Sequence, residues 1–385
     1  MSGERLAKAL LEFRERYRSA GRRERGELLD EFCKLTKYHR KYAIAVLRDQ
    51  AGDAATASKR RRGPTYSRAA VRVLAAVWEA ADYPWSVRLK ALLPLWLPWA
   101  RKHVHGCTPQ VEGRLLRMSA RQMDRRLAAQ KRKLKRALYG RTKPGSLLKQ
   151  SIPVKTGNWD VQEPGYCEID LVSHSGPSAS GEFIYSLNVT DIHSGWAETR
   201  AIMGKGEAGV VAALDDIRQS LPFQLKAIDS DNGSEFINYH LCRYCDEHAI
   251  QFTRGRPYKK NDNAHIEQKN WTHVRRIFGW DRYDTHEQLE HMNALYRGPI
   301  RTMMNLFQPC VKLIAKERVG TKVRRHYDEA QTPLDRLAQT FSSSAHVAKL
   351  MAQRASTDPF ELSNTLDNQL RKLQKQVHQR TKPAA

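Results

Sequence analysis

The chain has 385 residues, which leaves room for two to four domains of ordinary size and excludes a single small module. Hydrophobic residues make up 41% and charged residues 28%, a globular mixture that excludes wholesale disorder. No run approaches 18 uncharged apolar residues, so neither a membrane-spanning helix nor a secretory leader fits and a cytoplasmic protein is expected, with its six scattered cysteines reduced.

Lys and Arg number 66 against 41 Asp and Glu, a net charge of +25 that points to a polyanionic partner. The excess is uneven: residues 1–150 carry 36 basic and 13 acidic side chains, 151–300 carry 15 and 21, and 301–385 carry 15 and 7. A basic front end ahead of a mildly acidic core is the pattern of a nucleic-acid-binding module fused to a domain with its own carboxylate chemistry.

Residues 23–48 read as two short helices around a tight turn, RERGELLDEFCKL and then TKYHRKYAIAVLR with Thr36 as its N-cap. That predicts a helix-turn-helix within an N-terminal domain of residues 1–57, whose second helix offers Lys37, Tyr38, Arg40 and Lys41 to DNA. SKRRRGP marks a basic linker over 58–65, with Arg60, Arg61 and Arg62 placed to meet phosphates. A second helical DNA-binding domain follows over 66–138. Its Trp78, Trp85, Trp96 and Trp99 are read as core, and MSARQMDRRLAAQKRKLKR, with Ser119 and Gln122 as a capping box, supplies a recognition helix bearing Arg121, Arg125 and Arg126. The Lys-, Gly- and Pro-rich 139–165 reads as an extended linker.

From Tyr166 the periodicity changes. YCEIDLVSH, EFIYSLNVTDI, WAETRAIM, LKAIDSD and IQFTR read as strands, and KGEAGVVAALDDIRQS, SEFINYHLCRYCDEH and NDNAHIEQKNWTHVRRIFGW as helices, an order βββαβαβα that predicts a mixed sheet with helices on both faces over 166–298. The remaining 299–385 forms a basic and helical region, with cations between Lys312 and Arg325 and a helix from Pro359 striped with Leu362, Leu366, Leu370, Leu373 and Val377, read first as packing and second as an oligomer contact.

Three carboxylates draw attention by their placement: Asp170 in the first strand, Asp231 at the end of the fourth, and Glu267 in the last helix of the core. In-line displacement at a phosphodiester develops charge on entering and leaving oxygens, and two divalent cations about 3.5–4 Å apart stabilise both. Hard oxygen ligands from separate elements suit Mg²⁺. At about 100° per residue from Ile266, Glu267 falls at about 100°, within the same arc as Val274, Ile277, Phe278 and Trp271, with Asn270 as polar company. A carboxylate in that arc is costly unless a cation or hydrogen bonds neutralise it. Strand alternation alone does not separate Asp231 from Asp229, nor Asp170 from Glu168, since each pair shares a face.

Between Asp231 and Glu267 lie 35 residues, and the strings IDSDNGSEF and GRPYKKNDNAHIEQKNW, with EIDLV upstream, closely resemble the catalytic core of DDE transposases and retroviral-type integrases. The resemblance covers roughly residues 160–300, and TKPGSLLKQSIP before it resembles bacterial insertion-sequence transposases. It selects the aspartate before Asn-Gly, Asp231, and implies a ribonuclease H-like fold with Asp170, Asp231 and Glu267 holding two Mg²⁺ per active site, Mn²⁺ serving as substitute. The activity implied is hydrolysis at a mobile element's ends and attack of the freed 3′-hydroxyl on target DNA. Implied partners are double-stranded DNA, both the element's terminal repeats and the target, and further copies of the chain, at least a dimer on DNA, in a bacterial cytoplasm without membrane attachment. Arg254, Lys259, Lys260 and Arg275 near the Glu267 helix are the phosphate contacts expected there. The chain departs from retroviral integrases in lacking a His-His-Cys-Cys zinc module before the core. His240, Cys242, Cys245 and His248 resemble a zinc set but fall within one helix, so no zinc is expected. A non-enzymatic DNA-binding regulator and a nuclease of the same fold without joining activity are the competing readings.

Overall fold

The computed structural model describes residues 3–48, 66–133, 161–230, 236, 239–254, 264–319 and 322–380. They divide into two compact units, Met1–Thr65 and Tyr66–Ala385.

The first unit holds α1 (Gly3–Ser19), α2 (Arg22–Thr36) and α3 (Arg40–Arg48). Phe13 and Tyr17 of α1, Leu28, Leu29 and Phe32 of α2, and Ala43 and Leu47 of α3 form its core. Two of these helices were expected, but with Thr36 opening the second. Instead α2 runs through Thr36 and stops at Lys37, which takes a left-handed φ of 60°. The Thr36 hydroxyl donates to the carbonyl of Phe32 at 2.7 Å, one turn back, a bond that competes with N-capping the next helix.

The second unit begins with α4 (Arg68–Ala80), α5 (Ser86–His103), α6 (Pro109–Leu116) and α7 (Ala120–Lys133). Ser67 and Thr108 cap α4 and α6 by accepting the backbone N–H groups of Ala70 and Val111. Trp78 and Trp96 are core residues as read from sequence, but Trp85 is 50% exposed. It stands at the N-cap position of α5, in extended backbone before the helix begins.

Next come β1 (Tyr166–Ser173), β2 (Ile184–Asp191), β3 (Ala197–Met203), α8 (Glu207–Ser220), β4 (Ala227–Ser230), α9 (Tyr239–Glu247), β5 (Gln251–Arg254) and α10 (Ala264–Lys269). A π-helical stretch, Asn270–Arg275, carries α10 on into α11 (Arg276–Phe278). The five strands form one mixed sheet in the order β3-β2-β1-β4-β5, antiparallel from β3 to β1 and parallel from β1 to β5. This is the expected fold class, and the two faces of the sheet differ in chemistry. Cys167, Ile169, Leu187, Val189 and Ile228 point one way, into a core shared with Val210, Leu214 and Ile217 of α8 and with the buried side chains of α4–α7. Glu168, Asp170, Ser186, Asn188, Asp229 and Thr253 alternate with them and point the other way, toward α10 and the π stretch.

The chain ends with α12 (His286–Leu295) running on through π stretches Tyr296–Ile300 and Met303–Phe307, a hairpin of β6 (Leu313–Val319) and β7 (Lys322–Tyr327), then α13 (Pro333–Thr340), α14 (Ala345–Ser356) and α15 (Pro359–Arg380). The apolar stripe of α15 is used within the chain: Leu373 and Val377 are buried against Phe278, Met292, Leu295 and Tyr296. The hairpin was not read from sequence, because strands written KER and RRH carry no hydrophobic alternation.

Candidate active site

Asp170 sits on the polar face of β1, half-buried and in register with Asn188 of β2. Its Oδ2 accepts a hydrogen bond of 2.5 Å from Nδ2 of Asn270, and its Oδ1 accepts the N–H of Leu171 at 2.8 Å. Asn270 is held in turn, its Oδ1 accepting Nδ2 of Asn188 at 2.9 Å, while the Thr199 hydroxyl donates to Oδ1 of Asn188 at 3.4 Å. The relay runs from β3 through β2 to Asn270, on the helix that carries Glu267, and ends at Asp170 on β1. Asn270 lies three residues, about one turn, beyond Glu267, so the bond to Asp170 lays that turn of backbone over β1. The Glu267 side chain lies outside the described atoms.

The two alternates have other occupations. Glu168 is 1% exposed and its Oε2 accepts the backbone N–H of Ile266 at 2.9 Å, satisfying a donor in the first turn of α10. Asp229 is fully buried and its Oδ1 accepts the Thr253 hydroxyl at 2.7 Å, bonding β4 to β5. Described pairing of β1 with β4 ends at Ile169↔Ser230, one residue short of Asp170. Asp231 follows Ser230 in sequence and is outside the described residues.

Sequence periodicity placed Trp271 on the buried side of the Glu267 helix, yet Trp271 is 47% exposed while Lys269 and His273 are buried. The buried side of the helix is centred near Asn270: at about 100° per residue from Ile266 it runs from Lys269 at about 300° through His273 at about 340° to Phe278 at about 120°, and Trp271, at about 140°, falls just outside it. Ile266, Val274 and Phe278 are buried as the repeat predicts. Burial pushes the Lys269 amine down to about 8. Burial also works to raise the Cys310 thiol, but nearby Lys269, Arg336 and Arg88 outweigh it and hold the thiol below its ordinary range. Nη1 of Arg336 donates to Cys310 Sγ at 3.1 Å. This charged cluster joins the Glu267 helix to α5 and to the C-terminal region, and sequence reading missed it because its members are scattered from residue 88 to 336.

Residues expected to touch DNA are distributed more widely. Lys37 and Tyr38 lie in the turn after α2 rather than in a helix, with the Tyr38 ring edge-on to Tyr42 at 4.9 Å. Arg40 is paired with Asp30, and Lys41 is exposed. On α7, whose first turn is capped by Ser119 Oγ accepting the Gln122 N–H at 3.3 Å, Arg121 and Arg125 are exposed one turn apart, whereas Arg126 lies over the Tyr66 ring at 5.7 Å. Arg275 covers the Trp280 ring at 4.1 Å and donates to Ser173 Oγ at 3.5 Å. Arg60, Arg61, Arg62, Lys259, Lys260 and the side chain of Arg254 lie outside what is described. His240 is exposed and paired with Glu207, while Cys245 faces the core of the unit, so the members of the zinc-like string on α9 point in different directions. Among the described residues, one other group could bind a cation: His103, Asp358 and Glu361 bring a donor atom each within 4.8 Å of one another. Asp358 accepts the Phe360 N–H at the start of α15 and its second oxygen bonds His103 Nε2 at 2.8 Å, which accounts for the arrangement as a helix cap.

Residues 160–260 match the integrase core domain family. Those residues lie in the mixed five-stranded sheet, behind an all-helical N-terminal region, and the matched domain supports a transposase- or integrase-type function on DNA. The uncharacterised protein y4rM of Sinorhizobium fredii is 38% identical over 324 residues, an alignment covering 84% of this chain and 92% of y4rM. The chain belongs to the family of that protein. Among solved structures, the catalytic core domain of BIV integrase aligns with 46% of this chain and 97% of its own at 16% identity, with a TM-score of 0.32, and at that score it lends no weight to the reading of the site. No described helix is long and apolar enough to cross a membrane.

Proposed function

We propose that the protein is a transposase that binds the ends of a mobile DNA element, hydrolyses a phosphodiester at each end and joins the freed 3′-hydroxyl to target DNA, with Asp170, Asp231 and Glu267 as its active-site carboxylates. The observation that carries this reading is the anchorage of Asp170: a half-buried carboxylate bonded at 2.5 Å by an amide one turn from Glu267, inside an integrase core domain. The donor set fits Mg²⁺ or Mn²⁺ because all three side chains offer hard carboxylate oxygens, Asp170 from the polar face of the sheet, whereas the two alternates are fully buried and bonded to elements they position. Asp170, Asp231 and Glu267 would hold two such ions, which would supply positive charge to stabilise the entering and leaving oxygens.

The rest is the work of the chain. Asn270 donates to Asp170 without adding charge, and so holds the carboxylate in place. In the first step a water oxygen bonds to phosphorus, the P–O3′ bond breaks, and the element end leaves with a 3′-hydroxyl. In the second, that hydroxyl bonds to a target phosphorus, displaces the target's own 3′-oxygen and gives up its proton. Exposed Arg121 and Arg125 on α7, with Lys41 of the first unit, are the side chains we assign to end recognition.

Strand-transfer assays with labelled end DNA test the reading. Asp170→Asn, Asp231→Asn and Glu267→Gln each abolish cleavage and joining while end binding persists, because binding rests on the basic front end. Joining by any one variant would remove that residue from the site, robust turnover in excess chelator would refute the metal requirement, cleavage without joining in the wild type would identify a nuclease, and binding without either step a regulator.

A further inference from the structure

The β6–β7 hairpin is a sheet of two strands only, paired from Leu313↔Tyr327 to Val319↔Lys322 with a bulge near Ile314, and neither strand packs extensively against any other described helix or strand. Two-stranded ribbons are marginally stable alone. This one is also strongly cationic: residues 312–325 hold six basic residues and one acidic one, Glu317, which stands directly opposite Arg324. Directly opposed residues share a face, so Arg318, Arg325 and Tyr327 lie on one side, and Glu317, Arg324 and His326 on the other, where His326 and Glu317 meet at 3.4 Å. Arg318, Arg324 and Arg325 are all exposed, together with Ile314 at 68% and Tyr327 at 48%.

Its root, by contrast, is fixed. Oδ1 of Asp328 accepts the Lys312 N–H at 2.5 Å and Oδ2 accepts Nη2 of Arg336 on α13 at 2.7 Å. Nζ of Lys312 donates to the carbonyl of His193, in the turn between β2 and β3, at 2.6 Å. A cationic ribbon exposed on both faces and held rigidly at its base has the form of an arm whose partner is a polyanion.

We propose that this hairpin is a DNA-binding arm that grips duplex DNA without sequence preference, its arginines on the phosphates and the ribbon seated along a groove. The major groove is about 12 Å wide and admits a two-stranded ribbon. The inference rests on the DNA-joining reading above but concerns a surface separate from the carboxylates.

The test is fluorescence anisotropy of the full-length protein on a labelled duplex lacking element ends, titrated across a range of salt. Replacing Arg318, Arg324 and Arg325 together by Gln lowers affinity on the order of 10²-fold and makes the slope of log K against log salt shallower by about 2–3, since each lost phosphate contact removes about 0.9. Arg325→Gln alone, checked for an unchanged thermal transition, reduces the slope by about 1 and keeps the test decisive should the triple variant fold poorly. Wild-type affinity and slope in the arginine variants would overturn the arm while leaving the transposase reading intact. Absence of duplex binding by the wild type would overturn both.

Discussion

At the scale of single residues, the site turns on what holds Asp170. A lysine in place of Asn270 would anchor the carboxylate but neutralise it. An amide anchors it at 2.5 Å and leaves its charge available to cations, and Asn188 fixes which end of the amide faces Asp170 by taking its oxygen at 2.9 Å. Hydrogen bonds to charged groups contribute about 1.5–3 kcal/mol, which converts to a rate loss of roughly 10- to 100-fold when the bonded geometry is required. Asn270→Ala is therefore expected to slow single-turnover cleavage by that factor with end-DNA affinity unchanged, and Asn270→Asp to slow it further by like-charge repulsion. Unchanged cleavage in both variants would show that Asp170 needs no such anchor. Sequence placed Asn270 beside Glu267 on the helix, but not its partner, since Asp170 and Asn270 are 100 residues apart and their contact is a product of sheet register.

The Glu267 helix is the element on which the geometry depends, and Glu168 positions its beginning. That carboxylate accepts the Ile266 N–H, one of the donors a helix leaves unpaired in its first turn, and a negative charge there also suits the helix dipole. Glu168→Ala strands a buried donor at a cost of about 1–3 kcal/mol, so a thermal transition followed by circular dichroism should fall by several degrees. Glu168→Gln, which keeps the acceptor oxygen, should fall less, and Asp170→Asn least of all. A transition unmoved by Glu168→Ala but lowered by Asp170→Asn would exchange the roles of the two carboxylates. The strands and helices of the core were legible because hydrophobic period separates them, 2 for EFIYSLNVTDI and 3.6 for KGEAGVVAALDDIRQS. The edge of the buried arc on the Glu267 helix was not, since Lys269 and His273, polar in sequence, are buried and move that arc away from Trp271, which was misplaced accordingly.

Across the whole molecule, charge governs assembly. A net +25 per chain opposes self-association until DNA neutralises it. On the proposed reading, joining two ends to one target calls for two active sites, and Asp170, Asp231 and Glu267 would make one per chain, so at least two copies should meet on DNA. Mass measured by light scattering should correspond to monomer or weak dimer without DNA and rise to a dimer or higher multiple with paired end DNA. A joining-competent complex holding a single chain would contradict this. The stripe of α15 is already buried in its own chain through Leu373 and Val377, so the bridging surface must be sought elsewhere.

Fold class was legible in sequence alone, because strand and helix periods are local properties, and the candidate carboxylates were named there because IDSDNGSEF, EIDLV and the 35-residue interval to Glu267 are written in linear order. Tertiary structure decided the rest. Glu168 and Asp170 share a strand face, and only packing made one a buried helix anchor and the other a half-exposed ligand candidate. The leucines of α15 could have served a partner or the chain itself, and the proximity of Met292 and Tyr296 settled the choice. The basic tract at 312–325 became a ribbon through cross-strand hydrogen bonds that no side-chain pattern records. In each case the deciding interaction joins residues distant in sequence, whose energies depend on register and burial rather than on composition.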